Sequence, residues 1–304
     1  MFPEAVGGSF LIRTVCTDCN SRLGRFVDVT ITNHNLVVLK RFGAGIANKS
    51  GTIPNPFPRA SLEGDPSEKL HLSFDPSRPG ETDIRILPRV KVDREEGTIS
   101  VRVDGRDLGH LREIVNKAVT RAGGQELSQE QVDALTKEVV RTENPTVQAP
   151  YSLDVSEYRR GLMKIVYELA CHWLGDGYVD EPLAALMRQF IFDDQLAFDV
   201  ADKYPFPGIM TMLKGPLLPF WPDERDHLIA CLIVTGKAAG ITVSVLGALD
   251  ACIKVTDDVP SYPGCEQRFL CINPVTGAKR ESSFEVEIVR ITERANARTA
   301  PTPE

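Results

Sequence analysis

The 304-residue sequence contains no apolar run approaching 18 residues, which excludes a helix made to span a bilayer. Its opening, MFPEAVGGSF, lacks the basic n-region and long apolar h-region of a secretory signal, so the chain reads as cytoplasmic. Equally absent are G-x-S-x-G, the Walker A pattern, the glycine fingerprint of dinucleotide-binding folds and H-E-x-x-H. Each of those motifs is the local geometry of one chemistry. Without them serine hydrolysis, P-loop phosphate binding, nicotinamide binding and zincin proteolysis have no anchor. There is no internal repeat, and the only biased tract is the tail at 294–304.

What is present suits a globular protein. Hydrophobic residues make up 42% and charged residues 25%, enough for a core without staples and too apolar for disorder. The length accommodates about two domains. Of seven cysteines, Cys171, Cys231, Cys252, Cys265 and Cys271 lie scattered in apolar or strand-like segments, where a thiol behaves as a small hydrophobe. Only Cys16 and Cys19 form a tight pair. The formal net charge is -7, but the acidity is uneven. In residues 1–60 Arg13, Arg22, Arg25, Lys40, Arg41, Lys49 and Arg59 face only Glu4, Asp18 and Asp28, a net +4. Such a segment can contact phosphates while the rest is acidic, because exposed charges more than about 10 Å apart are largely screened at cellular salt.

The pattern along the chain predicts an α+β fold. A small N-terminal module at 1–43 leads through a Gly-, Pro-, Ser- and Asn-rich linker at 44–88, with at most a short strand at 70–74, into a larger mixed domain at 89–293 and a flexible tail at 294–304. Alternation at 84–92 and 98–103 predicts two half-buried strands. Helices are expected at 107–122 and from Ser128, where Ser-Gln-Glu-Gln makes a capping box with Gln131, to just before Pro145. Two more are expected at 155–174, closed by Gly175, and from Asp180 to about 193 with Pro182 in the first turn. The remainder reads as β, at 228–234, 242–249 and 251–255, with a hairpin formed by 269–272 and 284–289 around the Asn273–Gly277 turn. In the first thirty residues a short helix is expected from Ser21 to about Asp28.

The segment that carries chemistry is Pro3-Glu4-Ala5-Val6-Gly7-Gly8, followed by Cys16-Thr-Asp-Cys19-Asn20-Ser-Arg-Leu23-Gly24 and Asp28. A C-x-x-C turn supplies two thiolates to one zinc, but zinc takes four ligands and the chain has no second C-x-x-C. On spacing alone it is half a zinc site or a plain thiol pair. The order P-E-A-x-G-G, then C-x-x-C-N-x-x-L-G-x-x-x-D, resembles the HNH endonuclease superfamily, in its bacterial branch with a four-cysteine zinc knuckle. The specific resemblance covers about residues 2–35.

That resemblance implies an incomplete ββα-metal-like module in which Cys16 and Cys19 are structural Zn²⁺ ligands and Asn20 braces the site and orients the general base. It also implies Mg²⁺ or another divalent metal for hydrolysis of a phosphodiester in DNA or RNA. His34 is a candidate metal ligand and Asp28 a catalytic or metal-facing carboxylate. Arg13, Arg22, Arg25, Lys40 and Arg41 are candidate phosphate contacts. Each has a plainer reading: Asn20 as a helix cap, Asp28 as a solvated acid, His34 as a loop residue, the cations as a wet face. The family's general-base His and first C-x-x-C would precede Phe2 and have no counterpart in the sequence. Either the gene starts upstream or the module has decayed, and a retained C-x-x-C-N favours the first. The expectation is an HNH-type protein of weak or no activity, or alternatively a non-catalytic binding or regulatory protein with a vestigial module. Cys171-His172, adjacent on a helix, point about 100° apart and do not make a nucleophile and base.

Overall fold

The computed structural model describes residues 2–10, 12, 15–48, 50–57, 60–63, 65–74, 82–93, 98–135, 146–149, 151, 157–192 and 228–299. It divides the chain into two compact units: unit 1 from Met1–Pro54 and Leu153–Glu304, and unit 2 from Asn55–Ser152. The expected breaks at 43 and 88 do not coincide with these. The chain is of mixed α+β type, with helices and antiparallel sheets. No helix among the described residues is long and apolar enough to cross a membrane.

Unit 1 opens with a 3-10 turn at Glu4–Val6 and three short helices, α1 (Thr17–Phe26), α2 (Asp28–Thr32) and α3 (Asn35–Gly43). Helix α1 starts four residues before the expected Ser21, because the Cys16 side chain caps it.

Unit 2 holds β1 (Ser61–Leu62), β2 (Asp65–Phe74), β3 (Thr82–Ile86), β4 (Arg89–Asp93), β5 (Thr98–Arg102), α4 (Leu111–Arg121), α5 (Gln129–Leu135) and β6 (Val147–Gln148). Strands β3, β2, β1 and β6 make an antiparallel sheet in that order, so the stretch expected as linker supplies three of its strands. Its composition hid this. The two-residue β1 carries no period of its own and gains its second partner from β6, more than eighty residues away. Helix α4 lays Leu111, Val115 and Val119 against the inner face of the β4–β5 hairpin, at Val92, Ile99 and Val101. The capping box forms as expected: the Ser128 amide donates to Gln131 Oε1 at 2.8 Å and the Gln131 amide to Ser128 Oγ at 3.3 Å. The expected extension of that helix toward Pro145 lies outside the described residues.

The rest of unit 1 contains α6 (Tyr158–Leu174), α7 (Pro182–Phe192), β7 (Leu228–Thr235), β8 (Ala238–Val245), β9 (Leu249–Thr256), β10 (Arg268–Ile272), β11 (Lys279–Ser283) and α8 (Phe284–Thr299). The five strands form one antiparallel sheet in the order β11-β10-β7-β8-β9. Helix α6 lies on it, burying Leu162, Ile165, Val166, Leu169 and Trp173, and stops at Gly175, whose φ is +89°. The hairpin after β10 is closed by β11, with Arg268 opposite Ser283 and Ile272 opposite Lys279. Residues 284–289, expected as its second strand, instead begin α8. The alternation of Phe284, Val286 and Ile288 with Glu285 and Glu287 imitates a strand. Two acids in the first turn favour a helix N-terminus, and Glu287 is buried there, accepting from Ser282 Oγ and from Arg280 Nε at 3.2 Å.

Candidate functional site

The Pro3–Gly8 turn is tied to the β10–β11 hairpin. Gly7 is left-handed, φ +85°, and a Cβ there would sit 2.2 Å from Pro274 Cβ, so only glycine lets the two turns meet. Ser9 Oγ donates to the Gly277 carbonyl at 2.9 Å, and Lys279 Nζ lies 5.4 Å from the Phe10 ring centre. Phe2 and Val6 are buried in the unit 1 core and Glu4 is exposed.

From this anchor the chain reaches the C-x-x-C turn. Cys16 is extended (φ -66°, ψ 157°), and its Sγ accepts the Cys19 amide at 3.3 Å, so the first cysteine is the N-cap of α1 and the second lies in its first turn. Cys16 is exposed and Cys19 half-buried. Hydrogen bonds from the Cys19 amide, then from its thiol, hold the Cys16 thiol below its ordinary pKa. The same thiol contact, with the neighbouring Cys16 charge, pushes Cys19 up. Asn20 is exposed on the helix rather than its cap, its amide bonded to the Cys16 carbonyl at 2.9 Å. Arg22 and Arg25 are exposed as well, the Arg22 guanidinium 5.3 Å from the Phe192 ring centre and that of Arg25 6.0 Å from Phe26.

The other expected residues go elsewhere. Asp28 Oδ1 lies 3.0 Å from Lys164 Nζ, which is also 3.4 Å from Glu168 Oε2, and the lysine side chain is only 4% exposed. Burial disfavours the Lys164 charge, but the two carboxylates outweigh it and hold its pKa above the ordinary lysine value. Asp28 is therefore neither a solvated acid nor an open metal ligand. His34 is buried and caps α3, its Nδ1 accepting the Leu36 amide at 3.3 Å and its ring 5.0 Å from that of Tyr158, edge-on. Arg41, expected at a phosphate, is 4% exposed because it shares the inward face of α3 with Val37, one turn away. Lys40 is exposed, and Arg13 lies outside the described residues.

The structure thus brings Cys16 and Cys19 together and places Asn20, Arg22 and Arg25 on the same helix, while Asp28, His34 and Arg41 are drawn into packing. Among the described residues no three His, Cys, Asp or Glu side chains gather where a metal ion could bind. With four donors needed for structural zinc, the described residues do not fit a complete zinc site, nor a catalytic divalent-metal site. No protein-family model, no curated protein and no solved structure matches the chain. The residues that sequence reasoning passed over are Lys164 and Glu168. Their trace was there: two charges four residues apart within the apolar stripe Leu162, Ile165, Val166 and Leu169.

Proposed function

We propose that the chain is a cytoplasmic, HNH-endonuclease-like nucleic-acid-binding protein that, over these 304 residues, holds DNA or RNA without cutting it. The observation that carries this reading is α1, on which the C-x-x-C-N turn and two exposed arginines share one helix. Asp28, the next acid along the chain, is ion-paired with the buried Lys164. Arg22, Arg25 and Lys40 supply cations to phosphate oxygens. Displaced counter-ions drive that association, and the arginine forks add directional hydrogen bonds.

Hydrolysis needs a group to take a proton from water near neutral pH. His34 spends Nδ1 on the α3 cap and is buried against Tyr158, and Asp28 is held by Lys164. The binding function therefore rests on exposed side chains, and the acid and imidazole of the segment serve the fold.

The test is a gel-shift and plasmid-nicking experiment in Mg²⁺ or Mn²⁺. Retarded but unnicked DNA, or retarded RNA, is the expected result. Nicking above the buffer level that Asp28→Asn abolishes would restore the nuclease reading, and no retardation at low salt would remove nucleic-acid binding.

A further inference from the structure

We propose that Cys16 and Cys19 are a redox-active dithiol that closes reversibly into a disulfide by exchange with a small-molecule disulfide. The pair has no third metal-binding neighbour among the described residues, yet it is arranged, not scattered. The two cysteines bracket the first turn of a ten-residue helix, and Cys16 Sγ receives the Cys19 amide at 3.3 Å. A thiolate at the cap faces unpaired helix amides and the positive end of the helix dipole, which makes it the nucleophile of a C-x-x-C pair. Exposure follows the same division of labour, with Cys16 open to solvent and Cys19 half-buried behind it.

The chemistry balances as two exchanges. Cys16 Sγ attacks one sulfur of R–S–S–R, forming Cys16–S–S–R and releasing one thiolate. Cys19 then gives its proton to solvent and attacks Cys16 Sγ, forming the Cys16–Cys19 bond and releasing the second thiolate. The protein dithiol is oxidised by two electrons and the small disulfide is reduced by two. An excess of small thiol runs both steps backward.

Oxidised glutathione is the probe, applied to the full chain, with intact and peptide mass spectrometry as readout. In the unmodified protein the peptide carrying both cysteines loses two hydrogens and carries no glutathione, and reduced glutathione reverses this. Cys19→Ser removes the resolving thiol and traps one glutathione on Cys16, whereas Cys16→Ser traps none at either position. Serine is itself a strong N-cap, so Cys16→Ser keeps α1, and circular dichroism verifies it. Cys252, also exposed, is the internal reference. At pH 7 iodoacetamide modifies Cys16 at least about threefold faster than Cys252. Equal rates, no trapped adduct in Cys19→Ser, or one zinc per chain shielding both cysteines from alkylation would each overturn the proposal.

Discussion

Lys164 sits with two carboxylates in a place almost closed to water, and its charge is useful only while both partners remain. Lys164→Met removes the cation that Asp28 and Glu168 share. Breaking a buried pair in this way costs about 3–5 kcal/mol, so chemical denaturation should show a large drop in stability for this variant. The folded pKa of Lys164 is raised. Its contribution is therefore fully present below the unfolded lysine value of about 10.4 and disappears as pH climbs through the higher folded value. Unmodified protein should lose stability on that alkaline limb, and Lys164→Met should lack that part of the dependence. Little of this is legible in the sequence. The C-x-x-C pair is a local motif, read directly from spacing, and the structure keeps it together. The partner of Asp28 lies 136 positions further on and is chosen by how α2 meets α6, which no local pattern encodes.

Among the elements, that meeting of helices depends on one small residue. A Cβ on Gly161 would lie 2.5 Å from Ile31 Cγ1 and 3.0 Å from Thr30 Oγ1. Gly161→Ala should therefore destabilise by about 1–3 kcal/mol through overpacking, although alanine is the better helix former, and thermal melting distinguishes the two outcomes. Helices with their own stop and start chemistry were the readable part: the stretch closed by Gly175 and the Ser128 capping box stand where spacing put them. The misread elements are those whose partner decides their form. Residues 284–289 alternate like a strand but coil because Glu287 is captured by Arg280 and Ser282 and because Phe284 stacks on Phe269. Residues 61–62 and 65–74 lie in a stretch of loop-like composition and are strand because β6 and β3 complete them.

The whole molecule places unit 2 as an insertion between two stretches of unit 1, whereas composition predicted a linker at 44–88 leading into one domain at 89–293. Within unit 2, Asp104 accepts from Arg106 Nε and from the amides of Arg106 and Ile86, and these bonds hold its carboxyl far below the usual range. A depressed carboxyl stabilises above the unfolded value of about 3.9, and that contribution drains away as pH falls toward the folded one. Hydrogen exchange at the Ile86 amide should lose protection over that acid range, and Asp104→Asn should weaken it already at neutral pH. The proposed binding, by contrast, rests on the exposed cations of the N-terminal segment meeting a phosphate backbone. The salt dependence of duplex binding, followed by fluorescence anisotropy, decides this for the unmodified chain beside a variant carrying Arg22→Ala, Arg25→Ala and Lys40→Ala. The slope of log affinity against log salt should shrink by about one for each phosphate-binding side chain removed. An unchanged slope and affinity in the triple variant would refute phosphate binding by these cations.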